Sequence, residues 1–355
     1  MGVIIMSLRN QINSNLIRWI SEEGPENDIV LSSRVRLARN LENYSYPNVA
    51  VNEERNNINQ KVWDVLIEEK NDMDFHYLKM ADLPELEREL LVEKHLISPI
   101  HAKLDREKAV IINDYETISI MINEEDHIRI QVLSPGLQLI NTWESANILD
   151  DRLEEKLDFA FSEKWGYLST CPTNVGTGLR ASVMVHLPAL NFTNNIGKML
   201  GAISQLGLAI RGLYGEGSES VANIYQISNQ LTLGHTETDI IDNLSSVTKQ
   251  IIEQEKNSRE RLLQEKGVRV KDSIKRSLGT LKYAYQIPSD EAMKLLSNVK
   301  LGIDMGIIDD VDNKLLSELL VLIRPAHIQK LNGEELDSIE RDIKRAELIQ
   351  TRLNM

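Results

Sequence analysis

Cationic and acidic side chains gather at a few points of this chain. Residues 32–36 read Ser32-Ser33-Arg34-Val35-Arg36, and further arginines stand at Arg129, Arg180 and Arg211. An acidic cluster, Asn123-Glu124-Glu125-Asp126, precedes Arg129, while Glu216 closes the run Arg211-Gly212-Leu213-Tyr214-Gly215-Glu216. Arginine presents a planar fork of donors that keeps its proton and fits phosphate oxygens. Neighbouring carboxylates suit proton transfer, and two of them can clamp the donor fork of a guanidinium. Phosphoryl transfer needs such a set, because it needs the nucleophile in line and the phosphate charge neutralised. A guanidinium nucleophile would also need a proton acceptor, since its pKa is about 12.5–13.8. Plain alternatives stand beside these readings. A lone arginine is commonly a solvated charge, and an acidic cluster is commonly a turn between strands. The single cysteine, Cys171, is either a reactive thiol or a buried, inert one.

Rigid elements must position these residues. Residues 8–20 have helical apolar spacing and end at a polar, proline-containing stretch, so residues 1–27 read as a short helical segment. In 29–41, arginines stand where a strand would alternate apolar residues, and the segment reads as an ordered cationic loop. Asp82 and Pro84 open a helix over 82–96 that delivers His95 at its end. Residues 109–133 form β-rich runs broken at Asn113-Asp114 and at the acidic cluster, the pattern of an antiparallel meander. One long amphipathic helix is predicted over 138–165, after Ser134-Pro135-Gly136. Gly176 and Gly178 mark a loop before a β-rich run at 180–187, and a helix at 196–206 precedes a further strand near 224–234. From about residue 239 the pattern is nearly all helical. The fold class is therefore α+β: an antiparallel sheet flanked by helices at 28–258, then an all-helical domain at 259–355, with the boundary inside a helix.

Composition narrows the partners. A formal net charge of −14 repels nucleic acid and anionic membranes, so any phosphate site must be a local cationic focus. The opening residues lack a signal peptide's apolar run, and Met6 breaks the myristoylation pattern. No stretch approaches a membrane span, and one cysteine fits a reducing compartment, so a cytoplasmic location is expected. Neither a P-loop nor the protein-kinase H-R-D and D-F-G set is present.

Five segments, SSRVRLAR, NEEDHIR, TCPTNVGTGLRASV, RGLYGE and ISN, resemble those of the phosphagen kinases, in the same order, across roughly residues 28–258. The resemblance implies Mg2+-ATP as phosphoryl donor, with Mg2+ carried by ATP rather than by a protein metal site. It implies a nucleotide site at Ser32, Ser33, Arg34, Val35, Arg36, His95 and Arg129. It extends that site to Arg180, Ala181, Ser182, Val183 and Met184, and to Arg211, Gly212, Leu213, Tyr214, Gly215 and Glu216. It further implies Glu125 as the catalytic base, Glu216 as the second substrate carboxylate and Cys171 as the reactive thiol; Glu124 and Asp126 are nearby acids that suit ordering rather than proton transfer. The family's usual histidine is replaced by Met184.

The small-guanidine kinases carry a helical domain before the SSRVR segment, whereas here Ser32 comes almost at once. An open guanidino site is expected, able to admit an arginine still attached to a protein. The closing helices resemble those of bacterial protein-arginine kinases of the McsB type. Arg341, Asp342, Ile343, Lys344, Arg345 and Ala346 match the RDxxRA motif, which the resemblance implies binds phosphoarginine and regulates activity. Helical spacing sets Arg341 and Arg345 on one face, where they can share an anion. The resemblance also implies stress-response roles, a zinc-containing activator protein of the McsA type and Clp-dependent degradation of the protein substrates. It leaves open a homodimer or higher oligomer. A kinase for free arginine and a non-catalytic phosphoarginine-binding adaptor are the competing readings.

Overall fold

The structure, a computed structural model, describes residues 18–68, 74–212 and 220–354. The elements run α1 (Arg18–Ser21), β1 (Val30–Arg39), α2 (Asn52–Glu68), β2 (Phe75–Lys79), α3 (Glu85–Glu93), β3 (Ala109–Asn113), β4 (Ile118–Ile122) and β5 (Ile128–Pro135). There follow α4 (Leu139–Glu154), a small ribbon of β6 (Phe161–Ser162) and β7 (Gly166–Tyr167), β8 (Leu179–His186), α5 (Pro188–Phe192), α6 (Ile196–Gln205), β9 (Leu208–Gly212) and β10 (Ile224–Asn229). Helices α7 (Glu237–Tyr283), α8 (Ser289–Asp304), α9 (Asn313–Leu322), α10 (Pro325–Asn332) and α11 (Ser338–Leu353) complete the described chain. No described helix is long and apolar enough to cross a membrane.

Eight strands form one sheet in the order β2-β3-β4-β5-β1-β8-β10-β9, with every neighbouring pair antiparallel. This is the α+β sheet the sequence predicts, and β3–β4–β5 is the predicted meander. Asn113 shapes its first turn, its Oδ1 accepting from the Thr117 and Ile118 amides at 3.0 and 2.9 Å. Asn123 opens the second with φ at 62°, a left-handed conformation that asparagine tolerates. Its buried Nδ2 donates to the Arg55 and Glu107 carbonyls and to Asn59, which anchors the acidic turn.

Two expectations are corrected. The cationic loop at 29–41 is strand β1, paired with β5 on one side and β8 on the other. Alternation is present: Val35 and Leu37 are fully buried on one face while Arg34 and Arg36 project from the other. Strand formation needs one apolar face, and the opposite face is free to carry charge. The helix predicted to reach residue 165 stops at Glu154. Backbone pairing draws the following chain back to the segment after β1, with Glu42 N donating to Asp158 O and Ala160 N to Asn40 O, both at 2.8 Å.

The sheet buries both faces. Val35, Leu37, Ile120, Ile130, Val183 and Ile227 pack against α2, α4, α6 and the first half of α7. On the opposite face, Leu31, Met121, Leu133, Met184 and Ile224 share a second core with Leu262, Ile274, Leu296 and Leu319 of the closing helices. A division at residues 258–259 falls inside α7, which bends at Lys266 (φ −133°, ψ 20°). Beside it Arg259 binds Asp28 at 3.0 Å, Glu255 at 3.2 Å and Asp304 at 3.5 Å, tying β1's approach to α7 and α8. Of the predicted N-terminal helix, only Arg18–Ser21 lies within the described residues.

Candidate active site

Residues directly opposite in an antiparallel pair share a face of the sheet. Arg36 lies opposite Arg180, Arg129 opposite Ala38, and Arg34 opposite Ser182. Gln226 lies opposite both Met184 and Arg211. The pleat therefore brings Arg34, Arg36, Arg129, Arg180 and Arg211, from four strands, to one face. It turns other members of the same motifs away. Val35, Ala181 and Val183, expected in the nucleotide site, are buried in the core beneath. Ser33 also faces away, accepting from the Gln138 amide at 2.9 Å and donating to the Gly136 carbonyl at 2.8 Å, which fixes the start of α4. Gly212 pairs with Tyr225 on that core side. Ser32, Ser182 and Met184 share the arginine face; Met184 joins the second core.

Crowded cations and burial define this face electrostatically. Burial, then the charges of Arg129 and Arg180, push the Arg34 pKa down to about 10. Arg36 is lowered too, by burial first and then by Arg34, Arg129 and Arg180. Its Nε is buried without a hydrogen-bond partner among the described residues. Arg34 is braced, with Nη2 donating to Gln226 Oε1 at 2.8 Å and Nε to Ser182 Oγ at 3.4 Å. Uncompensated buried charge of one sign is costly, and a bound polyanion relieves it.

Two adjoining clefts lie on this face, sharing Arg36 and Arg129 as lining residues. The larger, about 370 Å3, has apolar walls of Val92, Ile97, Pro99 and Met121 and polar groups from Arg34, His95, Ser98 and Gln131. His95 follows α3 in left-handed backbone (φ 61°), its carbonyl accepting from Gln131 Nε2 at 2.9 Å. Trp19 backs its ring edge-on at 5.3 Å. Burial, then Arg34 and Arg324, push its pKa down to about 3, so the imidazole is neutral near pH 7 and can both donate and accept.

The smaller cleft, about 180 Å3, brings Glu125 and Cys171 together with Arg36, Arg129, Asn174 and Arg180. Arg129 divides its fork, Nη1 donating to buried Glu124 at 2.6 Å and Nη2 to the half-exposed Glu125 at 2.9 Å. Glu124 also accepts from Ser98 Oγ at 2.8 Å. Asp126 is buried and accepts from Asn40 Nδ2 at 2.7 Å, Ser169 Oγ at 2.8 Å, the Thr170 amide at 2.9 Å and Asn174 Nδ2 at 3.3 Å. The acidic turn thus holds the loop bearing Cys171, whose Sγ lies 3.1 Å from Thr173 Oγ1. Leu213, Tyr214, Gly215 and Glu216 lie outside the described residues.

Residues 57–258 match the ATP:guanido phosphotransferase C-terminal catalytic domain. The chain belongs to the ATP:guanido phosphotransferase family. Its residues 267–355 match the protein-arginine kinase McsB C-terminal domain. Across 350 residues the chain is 67% identical to a protein-arginine kinase of Halothermothrix orenii, covering 99% of this chain and 100% of that one. It is 49% identical over 352 residues to a protein-arginine kinase of Bacillus subtilis, covering 99% and 97%. Among solved structures, the substrate-free duplicated taurocyamine kinase of Schistosoma mansoni matches with TM-score 0.57 at 28% identity, covering 67% of this chain and 35% of that one. A lombricine kinase shares the fold with TM-score 0.58 at 24% identity, over 68% and 70%.

In this guanido phosphotransferase the two arginines of the RDxxRA segment have unlike surroundings. Arg341 and Arg345 do share a face of α11, but Arg345 is buried, its Nε and Nη1 donating at 2.8 Å to the Ile323 and Ile287 carbonyls and Nη1 also to Asp342. Arg341 is half-buried, with Nη1 3.2 Å from the Leu336 carbonyl. Asp342, Ile343 and Lys344 are half-buried, and Ala346 packs in the second core. The pair therefore does not present two open forks to one anion. Sequence reasoning also missed Gln226, Asn174, Ser98 and Arg324. Period-two spacing within residues 224–229 places Gln226 on the arginine face once the strand is known; nothing local signals Arg324.

Proposed function

We propose that the protein transfers the γ-phosphoryl group of Mg2+-ATP to the guanidinium of arginine residues in proteins. The observation that carries this reading is the convergence of Arg34, Arg36, Arg129, Arg180 and Arg211 on one face beside Glu125. A larger cleft with apolar walls, neutral His95 and adjoining arginines suits a base and ribose leading to phosphates. Ser32, Ser182 and the arginines face that path. Val35, Ala181, Val183 and Gly212 serve by shaping the strands.

In the smaller cleft, Glu125 accepts a guanidinium proton as the N–P bond forms and the bond from γ-phosphorus to the bridging oxygen breaks. The negative charge passing to the ADP oxygens meets Arg36, Arg129 and Arg180. Cys171 lies at the same end, where a thiolate would favour the cationic substrate. Glu216 is assigned the second guanidinium clamp by family resemblance. Mg2+ bound to the nucleotide would add charge neutralisation at the phosphates beside these arginines.

Relatives named protein-arginine kinase over the whole chain favour a protein-borne arginine. The McsB-type closing helices support a regulatory role answering to phosphoarginine, and with it a place in stress-linked, Clp-dependent degradation with an activator partner. The decisive experiment offers free arginine and a folded protein side by side with Mg2+-ATP. Mass spectrometry under non-acidic handling, which preserves the P–N bond, should find phosphoarginine on the protein. Phosphorylation of free arginine alone would assign a small-guanidine kinase, and neither product would leave a binding protein.

A further inference from the structure

Arg324 belongs to the closing helices, at the N-cap of α10, yet it lines the same cleft as Arg34, Arg36 and His95. Its backbone is fixed from both sides. One residue earlier, the Ile323 carbonyl accepts from buried Arg345 Nε at 2.8 Å. Two and three residues later, the Ala326 and His327 amides donate to the Glu93 carboxylate at 2.9 and 3.0 Å, and His327 Nδ1 lies 2.7 Å from Glu93 Oε2. Glu93 is the last residue of α3, lines the cleft itself and stands two residues before His95. Helix α10 is therefore latched to the end of the helix that delivers His95. The charge of Arg324 reaches His95, where it adds to that of Arg34 in opposing protonation.

We propose that Arg324 is a nucleotide-binding residue: the closing helices supply a further cation for the phosphates of the nucleoside di- or triphosphate, so the cleft is complete only with α10 docked on α3. The inference rests on the reading of this cleft as the ATP site. A guanidinium lining the cleft that also holds Arg34 and Arg36 adds positive charge to it, and an anionic ligand there is attracted by that charge. The same placement leaves one peptide unit between the Arg345 contact at Ile323 and a group on the nucleotide. Any event that loosens Arg345 therefore reaches the ATP site directly.

The test is calorimetry of Mg2+-ADP and Mg2+-ATP binding to the full chain, comparing wild type with Arg324→Ala, Arg324→Gln, Arg324→Lys and Arg34→Ala. Melting temperatures are measured in parallel. The proposal expects Arg324→Ala and Arg324→Gln to weaken both nucleotides by about tenfold or more, as loss of a charge-assisted hydrogen bond does. Arg324→Lys should retain most of the affinity, so that affinity follows the positive charge at residue 324 and not the melting temperature. Affinity within about twofold of wild type for the Ala and Gln variants, with Arg34→Ala weakened, overturns the role of Arg324 and leaves the ATP site standing. Equal losses in the Ala, Gln and Lys variants together with lowered melting temperatures make Arg324 a structural residue and also overturn it. Unchanged binding in Arg34→Ala removes the reading of the cleft, and the inference with it.

Discussion

Arg129 holds Glu125 by one hydrogen bond, Nη2 to Oε2 at 2.9 Å, while its other terminal nitrogen is fixed on buried Glu124. A cation of the proposed phosphate cage thereby also aims the carboxylate proposed as base. Replacing Glu125 by Gln removes the proton acceptor and no phosphate contact. Turnover should fall by about 10²–10⁴ while Mg2+-ADP affinity stays near wild type. A loss of affinity matching the loss of rate would contradict this division of roles.

Asp126→Asn tests the loop rather than the chemistry. The carboxylate accepts from Asn40, Ser169, Thr170 and Asn174, and an amide must turn a donor toward one of those donors. The expected result is lower turnover and an altered alkylation rate of Cys171, with nucleotide affinity preserved because the sheet arginines are untouched. Stability should drop by about 1–3 kcal/mol. Unchanged Cys171 reactivity and turnover would show that the loop does not depend on Asp126.

Arg211→Ala removes the arginine of β9, on the open side of the cage. A lost transition-state donor costs about 10² in rate. Steady-state kinetics at saturating nucleotide measure this, and near-normal turnover would take Arg211 out of the mechanism.

The RDxxRA arginines should separate cleanly. Arg345→Ala leaves the Ile287 and Ile323 carbonyls without their buried donor and should cost on the order of 3 kcal/mol of stability. Arg341→Ala should melt near wild type. If phosphoarginine binds here, Arg341→Ala abolishes calorimetric binding of a phosphoarginine peptide while nucleotide binding persists; equal peptide affinity would leave Arg341 an ordinary helix charge.

Stability should fall in acid. His101 is buried and His95 is partly buried at the cleft wall, and desolvation pushes each pKa down to about 3 from an ordinary 6.5. Above pH 6.5 both are neutral folded or unfolded. As pH falls toward 3 the unfolded chain takes up protons that the folded chain refuses, so each histidine removes about 1.4 kcal/mol per pH unit. Urea unfolding at pH 7 and 5 measures the slope, and His101→Gln should reduce it. An equal slope in that variant would show that His101 does not titrate on unfolding.

Local pattern made much of this protein legible from its sequence. The meander of β3, β4 and β5 and strand β8 follow from β-rich apolar runs bounded by turn residues, and the closing helices from an apolar period of about 3.6, properties each segment carries alone. Motif identity likewise located Arg34, Arg36, Glu125, Arg129, Cys171 and Arg180 before their geometry was known. Tertiary structure decided what depends on distant partners. Strand β1 resembles a cationic loop until β5 and β8 flank it, because its charged face lines a cleft instead of meeting water. Pleat then sorts each motif, sending Arg34 and Arg36 to the cleft and Val35, Ala181 and Val183 to the core. Pairing with residues 40–42 ends α4 at Glu154, where helical spacing alone would continue. Burial separates Arg345 from Arg341 although both sit on one helix face. Arg324 reaches the cleft only because α10 docks on Glu93, a contact between residues more than two hundred positions apart, which no local pattern encodes.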